Sequence, residues 1–95
     1  MALLTENERR HTFMKDEFAK ANEECALLEL ATNSKECLHL LKVKTALCKY
    51  IHRMLVGEDA QAYYEKACRN MDDTLSIDIA RELCNYNNRC YAYLT

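Results

Sequence analysis

Six cysteines, Cys25, Cys37, Cys48, Cys68, Cys84 and Cys90, are the residues with the most chemistry to offer in this chain of 95. An even number in so short a chain suits a disulfide framework in an oxidising compartment, because a domain of this size gains from covalent bracing of a small core. The other reading is six reduced thiols packed as small apolar side chains, and the sequence leaves both open. Zinc is a third possibility, since Cys48 and His52 stand four apart and share a helix face as half of a tetrahedral site. No second closely spaced pair accompanies them. The scattered candidates His39 and Cys84 do not make one, so neither a metal nor any other cofactor is expected. The CxxC of dithiol redox enzymes is missing, and His11, His39 and His52 read as surface or half-buried helix residues rather than as bases for a cysteine nucleophile. The carboxylates of "KDEFAKANEE" are placed to pair with nearby lysines on a solvated face, and no glycine-rich phosphate loop occurs. No catalytic residue is assigned, and the chain is expected not to be an enzyme.

The elements that must position these residues read as helices. There is no proline and one glycine, Gly57, so the turn chemistry that strands need is nearly absent. The pattern predicts an all-α fold of about four helices in a single domain over residues 1–95, with an N-terminal helix over 6–31 and a helical hairpin over 34–94. Thr5 and Glu8 form a capping box at the first helix. Met14, Phe18, Ala21, Cys25 and Leu28 then alternate spacings of four and three and share one stripe. In the second helix Asn33 caps, Glu36 closes the box, and Leu40, Val43, Leu47, Ile51 and Met54 form the apolar stripe up to the stop at Gly57. Asp59 opens a third helix through Met71 that carries Tyr63, Tyr64, Ala67 and Cys68. The run "MDDTLS" supplies a bend and a new cap for a fourth, from about Leu75 to Leu94, whose "NYNN" stretch depends on packing.

Composition narrows the function classes. With 49% apolar residues, 29% charged residues and a net charge of -2, neither disorder nor a surface for nucleic acid is indicated. Glu29, Lys35, Lys42, Lys44 and Lys49 interrupt the leucine-rich region, so no membrane span is expected. The opening "MALLTENERRHTF" has neither a basic leader nor a small-residue cleavage site, so no cleavable secretory signal is expected.

On a helix, Cys37 and Cys48 differ by about 20° in direction and stand roughly 16 Å apart along the axis, so a facing helix meets both. A return arm antiparallel to helix two suggests a nested order: Cys48 with Cys68, Cys37 with Cys84, and Cys25 with Cys90. It is one of many connectivities that six cysteines allow, and the sequence does not select among them.

A helical hairpin whose arms each carry a widely spaced cysteine pair resembles the twin CX9C proteins, the coiled-coil-helix-coiled-coil-helix class. The first arm reads CX10C, "CLHLLKVKTALC", and the second CX15C, "CRNMDDTLSIDIARELC", where the family has nine intervening residues. The longer spacing falls on the bend already placed between Cys68 and Cys84. Within the class, the closing segment "NRCYAYL" is similar to that of the hinge-subunit family of the mitochondrial cytochrome bc1 complex, although that family is strongly acidic and this chain is nearly neutral.

The resemblance covers about residues 36–94. It implies the mitochondrial intermembrane space, peripheral to the inner membrane, reached by oxidative trapping. The apolar signal for the import oxidoreductase would be Leu40 and Leu41 beside Cys37, or Leu47 and Ile51 beside Cys48. The implied function is a non-catalytic accessory subunit of an inner-membrane complex, of the respiratory chain or ATP synthase, with other protein subunits as partners and no small-molecule substrate. The alternatives are an assembly chaperone of the same compartment and a cytosolic helical adaptor with reduced thiols.

Tyr63, Tyr64, Tyr86, Tyr91 and Tyr93 crowd the second half of the chain. Tyrosine suits a protein interface through its large apolar area and polar tip, so these five are the expected partner-binding residues, with core-edge packing as the plainer reading. Leu27, Leu28, Leu30 and Leu94 add apolar surface for a partner to cover.

Overall fold

The Thr5 hydroxyl accepts a hydrogen bond from Glu8 N at 3.1 Å, and the Glu8 carboxylate accepts one from Thr5 N at 3.3 Å. This capping box starts helix α1, Glu6–Glu29. The computed structural model describes residues 4–31 and 33–95, and these are helical and free of strands outside short connections. Helix α2 is Lys35–Leu55, α3 is Ala60–Arg69 and α4 is Asp73–Leu94. The all-α reading therefore holds.

Helix ends follow the local chemistry, with small corrections. Ser34 caps α2 in place of Asn33, its hydroxyl accepting from Cys37 N at 3.4 Å. That shift puts Cys37 at the third helical position, so Glu36 cannot close a box. At the other end Gly57 takes φ +78, Gly57 N donates to Met54 O and Glu58 N to Arg53 O. This double bond pattern is a Schellman cap, which needs a left-handed residue where glycine carries no steric penalty. Asp59 caps α3 through Ala62 N, and Asp72 caps α4 through Leu75 N. Helix α4 thus begins two residues earlier than expected, because Asp72 is the residue of "MDDTLS" whose carboxylate reaches the first free amides.

Helix α2 returns antiparallel to α1, and α3 turns back along α2 after Gly57. The return arm is then split. The turn at residues 70–72 reverses the chain again, so α4 runs parallel to α2 and antiparallel to α1. Ion pairs mark this register. Asp78 meets His39 at 2.6 Å and Glu82 meets Lys44 at 3.0 Å, while Arg89 meets Glu17 at 2.6 Å and Arg9 donates to the carbonyls of Tyr93 and Leu94. The result is an elongated bundle of 50 × 27 × 22 Å.

The core lies between α2 and α4. Val43, Leu47 and Ile51 face Leu75, Ile79, Leu83 and Tyr86, and Phe13 of α1 closes one side. The buried row of α1 is Phe13, Glu17 and Ala21, rotated from the expected stripe, because α1 faces α4 with one row and α2 with another. Met14 and Phe18 are half-buried against the core, and Leu40 is exposed on α2.

Lys44 ties three helices together, with Nζ 3.0 Å from Glu24 of α1 and 3.0 Å from Glu82 of α4. Burial alone would lower its pKa, but the hydrogen bonds and charges of Glu82 and Glu24 outweigh that and raise it above 10.5. The protonated form is thus favoured by folding, so the contribution is complete below the unfolded lysine value and is lost as pH rises through the higher folded value. Tyr63, Tyr64 and Tyr86, all raised by burial, also lose stability in alkali. In thermal melts across this range, wild type minus Lys44→Met should isolate the lysine: a gap at neutral pH that narrows in alkali. A gap independent of pH would count against the clamp.

Candidate functional site

The richest collection of reactive side chains lines the seam between α1 and α2, on the side away from α4. Phe18, Asn22, Cys25 and Glu29 recur at spacings of four, three and four along α1, and Thr45, Cys48, Lys49 and His52 line α2 opposite them. Between them lies an open groove of 320 Å³. Contacts across it climb α1 as they descend α2. The rings of Phe18 and His52 stand 5.6 Å apart, Cys48 donates to Asn22 Oδ1 at 3.0 Å, and Cys25 Sγ lies 3.8 Å from Thr45 Oγ1. Burial pushes the Cys48 thiol up in pKa, the neighbouring Cys25 adds to the rise and Lys49 opposes it. The groove therefore presents two thiols from two helices, one of them held protonated near neutrality.

All six cysteines are free thiols, and no two are within bonding distance. The three expected bridges are not formed in this structure. Cys90 is buried beside Arg10, whose Nη1 is 4.0 Å from Sγ, whereas Cys25 lies about four turns, roughly 22 Å, further along α1. Cys37 precedes His39 and Cys84 follows Glu82, so the His39 to Asp78 and Lys44 to Glu82 pairs stand between them. Cys48 and Cys68 are the expected pair that the fold brings into one neighbourhood. Burial raises Tyr63, Arg53 works against it, and both thiols add to the rise. Yet the cysteine that shares the groove with Cys48 is Cys25 of α1, not Cys68 of α3.

His39 engages Asp78, while His52 shares the groove with Cys48 and stacks on Phe18. Among the described residues no three His, Cys, Asp or Glu side chains converge.

The five tyrosines do not form one surface. Tyr86 is 2% exposed and belongs to the core, which removes it from the expected docking set, because it continues the four-and-three phase of Leu75, Ile79 and Leu83. Tyr63 is half-buried under Arg53, 4.2 Å from guanidinium to ring, and Tyr64 packs on the core. Tyr93 stacks on Phe13 at 5.3 Å, and Tyr91, 73% exposed, points to solvent. Leu4 is exposed at that end too, and the remaining exposed leucines lie toward the other end of the bundle. Leu27 and Leu30 of the α1 terminus are 62% and 85% exposed, and on α2 Leu38 and Leu40 are exposed on different faces. Leu28 and Leu94 are half-buried.

Asn22, Thr45 and Glu29 went unnoticed in the sequence as groove residues. The signal was present in the row Phe18, Asn22, Cys25, Glu29, which runs at helical spacing beside the core stripe. No helix among the described residues is long and apolar enough to cross a membrane. Comparisons with protein-family models, with characterised proteins and with solved structures return no match.

Proposed function

We propose that this chain is a non-catalytic accessory subunit that docks on a larger protein assembly, and that the assembly is a mitochondrial inner-membrane complex, respiratory or ATP synthase, met from the intermembrane-space side. The observation that carries the docking role is the pair Leu27 and Leu30 at the end of α1, three residues apart and 62% and 85% exposed. Adjacent large apolar side chains left this open to solvent are what a partner covers. The compartment rests on the resemblance of the cysteine-bearing arms to the twin CX9C class. A second reading, a cytosolic helical adaptor, is favoured by the six separate thiols.

Isolated mitochondria give the test. The protein should be protected from protease until the outer membrane is opened, and on native gels it should migrate with a complex far larger than its own 11.1 kDa. Leu27→Ser with Leu30→Ser should reduce the complex-bound fraction by about tenfold or more, while Tm stays within about 2 °C because both positions face solvent. Recovery in the cytosol alone would establish the adaptor. Transient migration with the complex would mark a chaperone, and full association of the double variant would remove the leucine surface.

A further inference from the structure

We propose that Cys25 and Cys48 are a redox-active pair that forms an interhelical disulfide between α1 and α2 by exchange with a small disulfide such as oxidised glutathione. The inference is independent of the docking role and of the compartment. It rests on the groove geometry.

Asn22 lies across from Cys48, and Cys25 lies across from Thr45, so the four side chains occupy the corners of a square with the thiols on one diagonal. The three-residue offset between Asn22 and Cys25 amounts to about 4.5 Å along the axis. For helix axes about 8–10 Å apart, Cα atoms on facing sides with this offset stand no closer than about 5.6–7 Å, against the roughly 4.4–6.8 Å that a disulfide spans, so the pair is adjacent without being in bonding position. Closure needs the Cys48 thiol to leave Asn22 and swing along its own helix face, with a small slide of one helix past the other. The groove is open to solvent, so a tripeptide disulfide has access.

The order of steps follows from protonation. Burial and the neighbouring thiol keep the proton on Cys48, so the first attack falls to Cys25. The Cys25 thiolate, its proton lost to water, attacks one sulfur of oxidised glutathione. The glutathione S–S bond breaks, one glutathione thiolate leaves and is protonated, and Cys25 carries a mixed disulfide. Cys48 then loses its proton to solvent and attacks the Cys25 sulfur, expelling the second glutathione. Two protein thiols are oxidised and one glutathione disulfide is reduced to two thiols. The new bond closes the stretch from residue 25 to residue 48, which holds Leu27, Leu30, Leu38 and Leu40. Oxidation thereby fixes the turn that presents them.

The wild-type protein, equilibrated with oxidised glutathione, alkylated and digested with trypsin without reduction, decides the matter. The peptide of residues 21–35 joined to that of residues 45–49 should exceed any other cysteine-linked species about tenfold. Tm should rise by about 10 °C, reversibly with dithiothreitol. Asn22→Ala should speed closure a few-fold by freeing the Cys48 thiol, and Cys25→Ser should abolish both the linked peptide and the Tm rise. Residues 45–49 joined instead to residues 67–69, which carry Cys68, would overturn the proposal. So would a glutathione adduct that persists on Cys25 or Cys48.

Discussion

Tyr86→Ala should destabilise the fold by about 3–5 kcal/mol, seen in urea or thermal unfolding as a Tm loss of about 15–30 °C. Tyr86 is 2% exposed, its ring centroid lies 5.5 Å from that of Phe13, and it is the most deeply buried of the α4 aromatic side chains that meet α1. Removing the ring leaves a cavity that Phe13 cannot fill without abandoning Tyr93. Tyr86→Phe should cost about 1 kcal/mol or less, because it keeps the packing and surrenders only the hydroxyl. Burial, then the charges of Cys90, Glu17 and Tyr50, push that phenol well up in pKa against the opposing pull of Arg10. A mild effect of the alanine variant would show that Tyr86 lies outside the core and would return it to the docking set.

Arg89→Ala should cost about 2–3 kcal/mol. Arg89 Nε donates to Glu17 Oε1 at 2.6 Å, and Glu17 is a buried charged residue, 8% exposed, in the row of α1 that faces α4. Losing the guanidinium strands a carboxylate away from water, and this is where the penalty arises rather than in the ion pair itself. The half-exposed position of Arg89 holds the figure below that of a fully buried pair. Glu17→Gln in the same chain should restore about half of the loss, since a neutral amide is far cheaper to bury. Thermal melts of the two single variants and the double variant close the cycle, and an Arg89→Ala melt equal to wild type would exclude Glu17 as the stranded charge.

Much of this fold was legible because its determinants are local. Thr5 with Glu8, Asp59 and Gly57 sit within a few residues of the ends they define, and the absence of proline left the helical periodicity uninterrupted. Asn33 and Ser34 are adjacent and chemically equivalent caps, so the choice between them depended on a single peptide unit. The direction of α4 was a different kind of problem. It is fixed by His39 with Asp78 and Lys44 with Glu82, pairs about 38 residues apart whose partners carry no local signature. The nested cysteine order assumed that one return arm lies antiparallel to α2, and the reversal at residues 70–72 undoes that geometry for Cys84 and Cys90. The division of the tyrosines was readable in principle. Tyr86 is in phase with Leu75, Ile79 and Leu83, and Tyr91 is out of phase, but attention to residue type concealed the angle.

The contact of α1 with the end of α4 also sets an order of assembly. Arg9 meets the carbonyls of Tyr93 and Leu94 across 84 and 85 positions of sequence, whereas Cys25 meets Thr45 across 20. On a ribosome, the α1–α2 hairpin is complete long before residues 86–94 emerge, and until then the first turns of α1 have nothing to lean on. Until α4 arrives the hairpin leaves the row Phe13, Glu17 and Ala21 uncovered, its local contacts forming fast while the slow, distant closure waits. The segment that ends its exposure is α4, the last helix to be made.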